Sequence, residues 1–311
     1  MKKVIYTITP NPALDLSGTV KDLKPNEKAY VQDEKRAPGG NAINAARILH
    51  RLQVPVVASG FLGGSTGEEI EGLLRVEGLR SEFIKIQEST RINVTISNLN
   101  DHQQTRLSFA GPMLKPVEKK KFFHFINNKN DMDILLIGGS LPKNFSVKDL
   151  VHLMAVAQRK GVRIIVDCPG DILSKAVLGK PFLIKPNLEE FQVMTGLRGK
   201  SIGAVRKKAE TLLNSVKYVC VSSVEGGALL VTQEGAYFGR IPKIKIRSTV
   251  GAGDSMVGAM VSQIYHQQES PEEILRWGLA AAAATLSETG TTLGKVANIK
   301  KLYKKTTVEK I

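Results

Sequence analysis

The residues best suited to chemistry lie in one short segment, Gly251-Ala252-Gly253-Asp254, which is followed by an apolar helical run. Two glycines at the start of a helix let backbone N–H groups approach an anion, and the helix dipole favours negative charge at this end. A carboxylate is unsuited to binding phosphate, so Asp254 is predicted to accept the proton of an attacking hydroxyl during phosphoryl transfer. The structural alternative for Asp254 is a helix cap after a glycine-rich turn.

The elements around this segment indicate a doubly wound α/β core. Apolar, β-branched runs alternate with amphipathic segments whose apolar residues recur three and four positions apart, a pattern typical of a parallel sheet covered by helices on both faces. The predicted strands are 4–9, 54–61, 134–137, 162–166, 182–185 and 218–222. A hairpin is predicted at 228–241, then a strand-like stretch at 241–247 and long helices at 255–267 and 271–287.

Two stretches, 14–37 and 91–109, interrupt the alternation of strands and helices. Residues 93–97 alternate polar with apolar side chains, and no helix intervenes, which favours a small exposed sheet projecting from the core. We therefore expect a discontinuous β lid on a single domain spanning residues 1–311. No repeat or linker divides the chain.

Composition narrows the functional classes. The chain has 311 residues, 42% of them hydrophobic, which is ample for a buried core. Its formal charge of +15 is dispersed, and the lysine clusters at 119–121 and 300–305 lack interleaved aromatic residues. Both observations weigh against nucleic-acid binding, although charge alone does not choose between it and anionic small molecules, which a general positive field also favours.

Membrane insertion and export are also not expected from the sequence. No apolar run approaches the ~20 residues that a membrane helix needs, and the amino-terminal segment leads directly into the strand-like run 4–9 without a signal-peptide core. A cytoplasmic protein is predicted. Cys168 and Cys220 lie inside apolar runs and are predicted to be buried free thiols.

A second motif, Pro38-Gly39-Gly40-Asn41-Ala42-Ile43-Asn44, pairs with the Gly251-to-Asp254 segment. Together they resemble the two signatures of the ribokinase-like (PfkB) family of sugar kinases, and the similarity runs nearly end to end. Within the family, the chain most resembles the type II 6-phosphofructokinases, particularly at 139–142, 184–187 and 248–260. The resemblance implies a ribokinase-like fold: a doubly wound, mostly parallel sheet flanked by helices, with a small β-sheet lid.

The resemblance assigns one group of residues to the sugar. Asp15 matches a ligand of sugar hydroxyls, and Gly39, Gly40 and Asn44 match neighbouring sugar contacts. Arg91 matches an arginine that grips the phosphate already on the substrate, a role suited to a bidentate guanidinium, with Ser140 and Lys28 as helpers. The structural alternatives are an Asx turn at Asp15, a tight turn and helix start at 39–44, and solvated charges at Arg91 and Lys28.

A second group is assigned to ATP and cations. Asn187 and Glu190 match an N-x-x-E element that organises the hydration shell of Mg²⁺, whose oxygen preference suits them, although a helix-capping pair is the alternative. Lys185 is expected to reach nucleotide phosphate. Ser222, Gly227 and Ser287 match residues on the nucleotide side, and Gly251, Ala252 and Gly253 match backbone amide donors. The carbonyls of Val250 and of segment 287–290 match a cradle for a monovalent cation, and whether K⁺ is required stays open.

Several positions depart from the family patterns. Val224 replaces a glycine in the ATP loop, Glu189 replaces a lysine of a regulatory ATP site, and segment 287–290 has one extra residue. Asn41 replaces the lysine of 1-phosphofructokinases and tagatose-6-phosphate kinases, whereas Tyr30 replaces an arginine of the type II 6-phosphofructokinases. The first three leave the ATP contacts, ATP inhibition and K⁺ activation less defined. Asn41 argues against the substrates of the two lysine-bearing classes, whereas Tyr30 argues against the type II 6-phosphofructokinases.

The resemblance implies an ATP-dependent phosphofructokinase that converts fructose 6-phosphate to fructose 1,6-bisphosphate in glycolysis and dimerises through the lid. The alternatives are a kinase of the same class acting on fructose 1-phosphate or tagatose 6-phosphate, and a non-catalytic sugar-phosphate sensor. A sensor would have little reason to keep Asp254 together with Asn187 and Glu190.

Overall fold

The computed structural model describes residues 3–268 and 270–311. Its strands are β1 (Val4–Thr9), β2 (Ala13–Val20), β3 (Gln32–Gly39), β4 (Val56–Gly63), β5 (Ile84–Ile86), β6 (Arg91–Asn98), β7 (Gln104–Ser108), β8 (Met132–Gly138), β9 (Arg163–Asp167), β10 (Leu183–Ile184), β11 (Tyr218–Val224), β12 (Gly227–Thr232), β13 (Gly235–Arg240) and β14 (Thr307–Lys310). Its helices are α1 (Asn41–Arg51), α2 (Gly64–Val76), α3 (Pro116–Asn127), α4 (Val147–Gln158), α5 (Gly170–Ala176), α6 (Leu188–Thr195), α7 (Ile202–Glu210), α8 (Ala252–Tyr265), α9 (Pro271–Leu286) and α10 (Val296–Tyr303).

The large sheet has ten strands in the order β14-β13-β12-β11-β10-β9-β8-β1-β4-β5. Pairing is parallel from β5 to β11 and antiparallel from β11 to β14. Parallel strands need crossover connections, and helices of the predicted lengths supply them. The predicted, mostly parallel sheet is confirmed.

Helices cover both faces of this sheet. Alternation along β1 directs Ile5 into one core and Tyr6 into the other, because successive side chains of a strand point to opposite faces. One core joins the strands to α3, α4, α5, α6 and α7, and the other joins them to α1, α2, α8 and α9. The doubly wound α/β prediction is therefore confirmed.

The small sheet consists of β3, β2, β6 and β7 in that order. β2 and β6 are parallel partners, with Asp15 beside Asn93, and the other two pairings are antiparallel. Its strands fall in the two stretches, 14–37 and 91–109, where a separate sheet was predicted, although β2 begins at Ala13 and β3 continues to Gly39. β7 is exposed along its whole length, which distinguishes this sheet from the buried core strands.

The predicted strand at 241–247 is wrong, because this stretch has no regular structure. Its lysine and isoleucine residues alternate as they would in a strand. The free edge of β13, with which an added strand could pair, is already occupied by β14. Arg247 instead donates its backbone N–H to the carbonyl of Leu286 at 2.8 Å. This contact ties the segment before α8 to the end of α9.

Two smaller predictions concern cysteine and the membrane. Cys168 and Cys220 are free and buried, as predicted. Within 3–268 and 270–311, none of the helices combines the length and the apolar character required to span a bilayer.

Candidate active site

Polar side chains collect at the edge of the large sheet where its parallel strands end. Asn11 follows β1, Ser140 follows β8, Asp167 ends β9, Lys185 follows β10, and Ser222 lies near the end of β11. In open α/β sheets ligands bind outside these carboxyl ends. This edge is therefore the candidate active site.

The amino terminus of α8 points into the same region. Gly251 is its N-cap residue with φ 76°, a left-handed conformation that glycine adopts without a steric penalty. The first N–H groups of a helix have no partner within it, and a Cβ on Gly253 would lie 3.3 Å from Nζ of Lys185. Helix N–H groups and a lysine ammonium thus meet at one point, which suits an anion.

Asp254 lies in the first turn of α8, and its Oδ2 accepts a hydrogen bond of 2.8 Å from Nδ2 of Asn44. The helix-cap alternative is wrong, because the N-cap residue is Gly251 and no side-chain cap hydrogen bond is made. Burial raises the pKa of Asp254 to about 7, and the charge of Asp167 acts in the same direction. A carboxyl group with a pKa near neutrality is suited to accepting and releasing a proton.

Two cavities meet at Asp254. The larger has a volume of about 570 Å³ and the smaller about 440 Å³. Both are lined by Asn41, Asn187, Thr249, Gly253 and Asp254. The site can therefore hold two molecules with the Asp254 carboxyl group between them.

Lys185 and Asp167 form an ion pair of 3.1 Å in the wall of the larger cavity, and both side chains are buried. Although burial opposes the charge of Lys185, its attraction to Asp167 holds the pKa of the ammonium above its ordinary value. Oδ2 of Asp167 is buried and has no hydrogen-bond partner among the described residues. Sequence reasoning did not select Asp167, although its place at the end of a predicted strand was a usable signal.

Asn187 and Glu190 also line the larger cavity, where they form the capping box of α6. Oδ1 of Asn187 accepts from the backbone N–H of Glu190 at 2.9 Å, and Oε2 of Glu190 accepts from that of Asn187 at 2.8 Å. Asn187 and Glu190 therefore do form the helix-capping pair that was the alternative interpretation, and their role in organising Mg²⁺ stays a prediction. Burial raises the pKa of Glu190, with a further contribution from Asp167.

The rest of the larger cavity combines a tight loop with an apolar wall. Ser222 and Gly227 line it, and a Cβ on Gly227 would lie 2.1 Å from the carbonyl oxygen of Gly239. The apolar lining comes from Ile241, Met256, Leu279, Ala282 and Leu286. A cavity with a charged end and an apolar end suits a molecule with phosphates and a flat base.

Asp15 and its neighbours line the smaller cavity. Oδ1 of Asp15 accepts 2.9 Å from Nδ2 of Asn93, the residue beside it in the sheet, so the Asx-turn alternative is wrong. A Cβ on Gly39 would lie 2.3 Å from the Asp15 carboxylate, so only glycine permits this approach. Burial raises the pKa of Asp15, and Gly40 and Asn44 complete this side of the cavity.

Arg91 lies at the other side of the smaller cavity, half-buried rather than solvated. Its guanidinium donates to the carbonyls of Phe109 at 2.7 Å and Asn11 at 2.9 Å. It also lies 3.4 Å from Oγ of Ser140, so these two predicted residues are brought together. Burial lowers the pKa of Arg91.

The small sheet contributes cavity residues that sequence reasoning missed. Asn93, Thr95, Gln104 and Arg106 line the smaller cavity, and Thr95 is paired with Arg106 across β6 and β7. Arg106 is exposed. Its positive charge opposes the effect of burial on the pKa of Asp15 and adds to the lowering of the pKa of Arg91. The alternation at 93–97 identified the sheet, and reading which positions share a face would have identified Asn93 and Thr95.

Four predicted residues line neither cavity: Gly39 and Ser140, which lie against Asp15 and Arg91, and Lys28 and Ser287. Lys28 is exposed, with its ammonium 4.8 Å from the centre of the Tyr30 ring. Ser287 is the C-cap residue of α9 and donates its hydroxyl to the carbonyl of Ala283 at 2.9 Å. The segments of the predicted K⁺ cradle are adjacent, because Oγ of Ser248 donates to the Gly290 carbonyl at 2.7 Å and Val250 lines the smaller cavity.

Comparison with known proteins gives consistent matches. The family model of the pfkB family carbohydrate kinases matches residues 9–298. The 1-phosphofructokinase of Bacillus subtilis (strain 168) is 34% identical over 283 residues, covering 91% of this chain and 92% of that protein. The ATP-dependent 6-phosphofructokinase isozyme 2 of Escherichia coli (strain K12) is 34% identical over 302 residues, covering 96% and 97%.

The fold is also similar to a solved structure. Phosphofructokinase-2 from Escherichia coli, in complex with substrates and products, matches with a TM-score of 0.92 and 33% identity. The match covers 97% of this chain and 99% of that chain. Similarity therefore extends over both the large sheet and the small one.

Proposed function

Because this chain belongs to the pfkB family of carbohydrate kinases, with its ribokinase-like fold, we propose that it phosphorylates fructose 6-phosphate with ATP to give fructose 1,6-bisphosphate. The chain is thus a phosphotransferase acting on a sugar hydroxyl, and the proposal adds the acceptor and its glycolytic role. The observation that carries it is the position of Asp254 between two cavities of different character. One has an apolar end for a base, and the other is lined by polar and charged side chains.

In the proposed complex the sugar phosphate occupies the smaller cavity. Arg91 would bind the existing phosphate, since a guanidinium can donate two parallel hydrogen bonds to phosphate oxygens, and exposed Arg106 would add charge. Asp15 would accept hydrogen bonds from sugar hydroxyls, with its carboxylate oriented by Asn93. These contacts would direct the free primary hydroxyl towards Asp254.

The proposed chemical step is an in-line transfer from ATP to that hydroxyl. Asp254 accepts the hydroxyl proton as the oxygen attacks the γ-phosphorus, and ADP leaves with the electrons of the broken P–O bond. Backbone N–H groups of 251–253 and the nearby Lys185 ammonium would stabilise the charge on the transferring group. Gly39, Gly40 and Asn44 would hold the sugar while this occurs.

The larger cavity fits a hydrated magnesium ion bound with ATP. Buried Oδ2 of Asp167 has no donor, and Oε1 of Glu190 is not used by the capping bonds. Asp167, Asn187 and Glu190 would hold Mg²⁺ through its water molecules, which suits an ion that loses water reluctantly. When bound, the ion neutralises phosphate charge. The carbonyl of Val250 and the 287–290 segment form our candidate K⁺ site, with Ser287 beside the nucleotide.

The choice of acceptor is tested by coupled ADP release. Activity with MgATP is compared on fructose 6-phosphate, fructose 1-phosphate, tagatose 6-phosphate and unphosphorylated fructose, as kcat/KM. Preference for fructose 6-phosphate is expected, since Asn41 departs from the lysine of the other two classes. Preference for another phosphorylated sugar would keep the mechanism and change the pathway. Activity on none would favour the non-catalytic sensor.

We also propose a homodimer formed through the small sheet. Leu107 and Phe109 are 54% and 56% exposed, and Leu107 lies on the face of β7 opposite Arg106. An exposed sheet edge with apolar side chains is suited to covering by a second copy. Leu107→Lys should shift the mass measured by light scattering to that of a monomer. An unchanged mass would move the interface elsewhere.

A further inference from the structure

A buried row of side chains leads away from Asp254 to a residue that touches neither cavity. Asn44 donates to Asp254 through Nδ2 at 2.8 Å, and its Oδ1 lies 3.3 Å from Nη1 of Arg47. Arg47 in turn forms hydrogen bonds to both carboxylate oxygens of Glu77, including 2.8 Å from Nε to Oε2. Arg47 is 6% exposed, and neither it nor Glu77 lines the two cavities.

The two neighbours of Asn44 together determine how its amide is oriented. A guanidinium has five N–H donors and no acceptor, so the atom facing Arg47 must be the amide oxygen. An ionised carboxylate only accepts, so the atom facing Asp254 must be the amide nitrogen. Rotation of the amide by a half-turn would place N–H against N–H on one side and oxygen against oxygen on the other.

We propose that Arg47, held in place by Glu77, is a positioning residue for the phosphoryl transfer proposed above: it fixes the Asn44 amide so that Asp254 always faces a donor. The inference rests on that proposed function for its catalytic meaning. Arg47 lines neither substrate cavity, and its hydrogen-bonded path to Asp254 runs through Asn44, although its charge also lowers the pKa of Asp15. Oδ1 of Asp254 is thereby left to accept the proton from the sugar hydroxyl.

Arg47 is well anchored for this role. It lies on α1, whose Ala45 packs against Gly258 of α8 so closely that a Cβ on Gly258 would be 2.9 Å from the Ala45 carbonyl. Glu77 is the C-cap residue of α2, so its carboxylate approaches Arg47 from a third helix. The ion pair alone would tie α1 to α2. The separate Nη1 contact with Asn44 is what extends its influence to Asp254.

The orientation matters because the Asn44 hydrogen bond opposes the burial that raises the pKa of the Asp254 carboxyl. Burial and the charges of Asp167 and Asp15 favour the protonated form, whereas the Asn44 hydrogen bond and the charge of Lys185 favour the ionised form. Losing the Asn44 donor, or replacing it with the amide oxygen, raises the pKa of the Asp254 carboxyl. The base would then be protonated at a pH where it should accept a proton.

The main test is the double variant Arg47→Met with Glu77→Met, which removes both charges and leaves no unpaired buried ion. We expect the acid limb of its kcat–pH profile to move upward by about one unit, so kcat on that limb falls about tenfold and recovers at alkaline pH. KM for ATP should stay unchanged. A purely structural role would lower kcat equally at every pH.

A matched control pair lies where the parallel strands of the large sheet begin, at the end opposite the candidate active site. Arg163 at the start of β9 and Asp133 near the start of β8 also form an ion pair between elements. Arg163→Met with Asp133→Met should leave the pH profile of kcat in place. An acid limb that moves equally in this control would overturn the inference.

A second variant keeps the test decisive if the double variant unfolds. Arg47→Lys retains a positive charge for Glu77, but one ammonium lacks the forked geometry that reaches Glu77 and Asn44 together. Its acid limb should also move upward. An acid limb that stays at the wild-type pH in either folded variant would show that Arg47 does not position Asn44.

A measurement without substrate separates this inference from the proposed function. The carboxyl carbon of Asp254, labelled with ¹³C-aspartate and assigned by its loss in Asp254→Asn, is titrated by NMR. Its pKa should rise by about one unit in Arg47→Lys. If the wild type phosphorylates none of the sugars, the proposed function fails, whereas an unshifted carboxyl titration defeats the positioning role.

Discussion

The two cavities of this protein are built from very different material. The larger is lined by residues from buried strands and helices of the core, and its Lys185–Asp167 pair is almost inaccessible to solvent. One wall of the smaller is the small sheet, whose β7 strand is exposed throughout. In the proposed function, the groups that handle the phosphoryl group are part of the core, whereas several of those that contact the sugar phosphate lie on the small sheet.

Substitutions in the core and substitutions in the small sheet should therefore have different effects on stability and on activity. A residue built into the core supports the fold as well as the site, so altering it affects stability and turnover together. A half-buried or exposed residue of the small sheet has fewer packing partners, so altering it should change substrate affinity more than stability. Asp254, which borders both cavities, should give the largest effect on the reaction itself.

Asp254→Asn should lower kcat by about a thousandfold or more, because an amide cannot accept the hydroxyl proton. The fold should be retained, since the amide oxygen can still accept from Asn44. Steady-state kinetics and circular dichroism check the two parts. A variant with more than a tenth of wild-type kcat would remove Asp254 as the base.

Lys185→Met tests the core side of the comparison. It leaves the buried Asp167 without its cation, so we expect the free energy of unfolding to fall by about 3 kcal/mol, together with a loss of kcat. Urea denaturation measures the first effect. The control Lys185→Met with Asp167→Asn should recover much of the stability and none of the activity; equal instability in both would mean that the charge pair is not the cause.

Arg91→Ala tests the sugar side. KM for the phosphorylated sugar should rise about thirtyfold, because a charge-assisted, bidentate contact is lost, while KM for ATP changes little. Arg206→Ala, which removes an exposed arginine paired with Glu210 far from the site, serves as the control. An unchanged KM for the sugar phosphate would refute the phosphate-binding role of Arg91.

The pH dependence of stability provides a smaller effect. The pKa of Asp254 in the folded protein, about 7, lies above its ordinary value of 3.8, so the folded state binds this proton more tightly than the unfolded state. The contribution is favourable at low pH and is lost as pH rises through about 7. Asp254→Asn should therefore be more stable than wild type at pH 8, by about 1–2 kcal/mol after allowance for partial exposure, and the gain should vanish in acid. A stability difference that is independent of pH would contradict this assignment.

Arg106→Ala should have the smallest effect. Its guanidinium is exposed, so solvent and salt screen its charge, and we expect a rise in KM for the sugar phosphate of about threefold to fivefold. The rise should shrink at 0.5 M salt, whereas that of Arg91→Ala should persist. An effect as large as that of Arg91→Ala would mean that the small sheet closes more tightly on the substrate.

Contiguous motifs and periodic patterns were the predictable part of this molecule. Gly251 to Asp254 could be recognised because the glycines, the carboxylate and the helix start are neighbours in sequence. The large sheet followed from alternating apolar runs, and the small sheet from the period-two pattern at 93–97. The predicted strand at 241–247 failed because β14, which arrives from the distant carboxyl terminus, takes its place at the sheet edge.

The unpredicted site residues share a different property. Asp167 is a single carboxylate after an apolar strand, and its importance depends on Lys185, which only the folded sheet brings within 3.1 Å. Arg106 resembles any exposed arginine until the pairing of β6 with β7 turns it towards the cavity. Lys28, selected by resemblance, lies on a loop outside both cavities of one chain.

The pairing of β2 with β6 also constrains the order in which the chain can fold. Asp15 and Asn93 are 78 residues apart in sequence, so their contact closes a long loop. Closing that loop costs entropy before the two strands gain their contacts, and the pairing of β1 with β4 in the core shortens the path between them. We therefore expect the small sheet to assemble after the core and to open before it, so its amide protons should exchange with solvent ahead of those of β8 and β9.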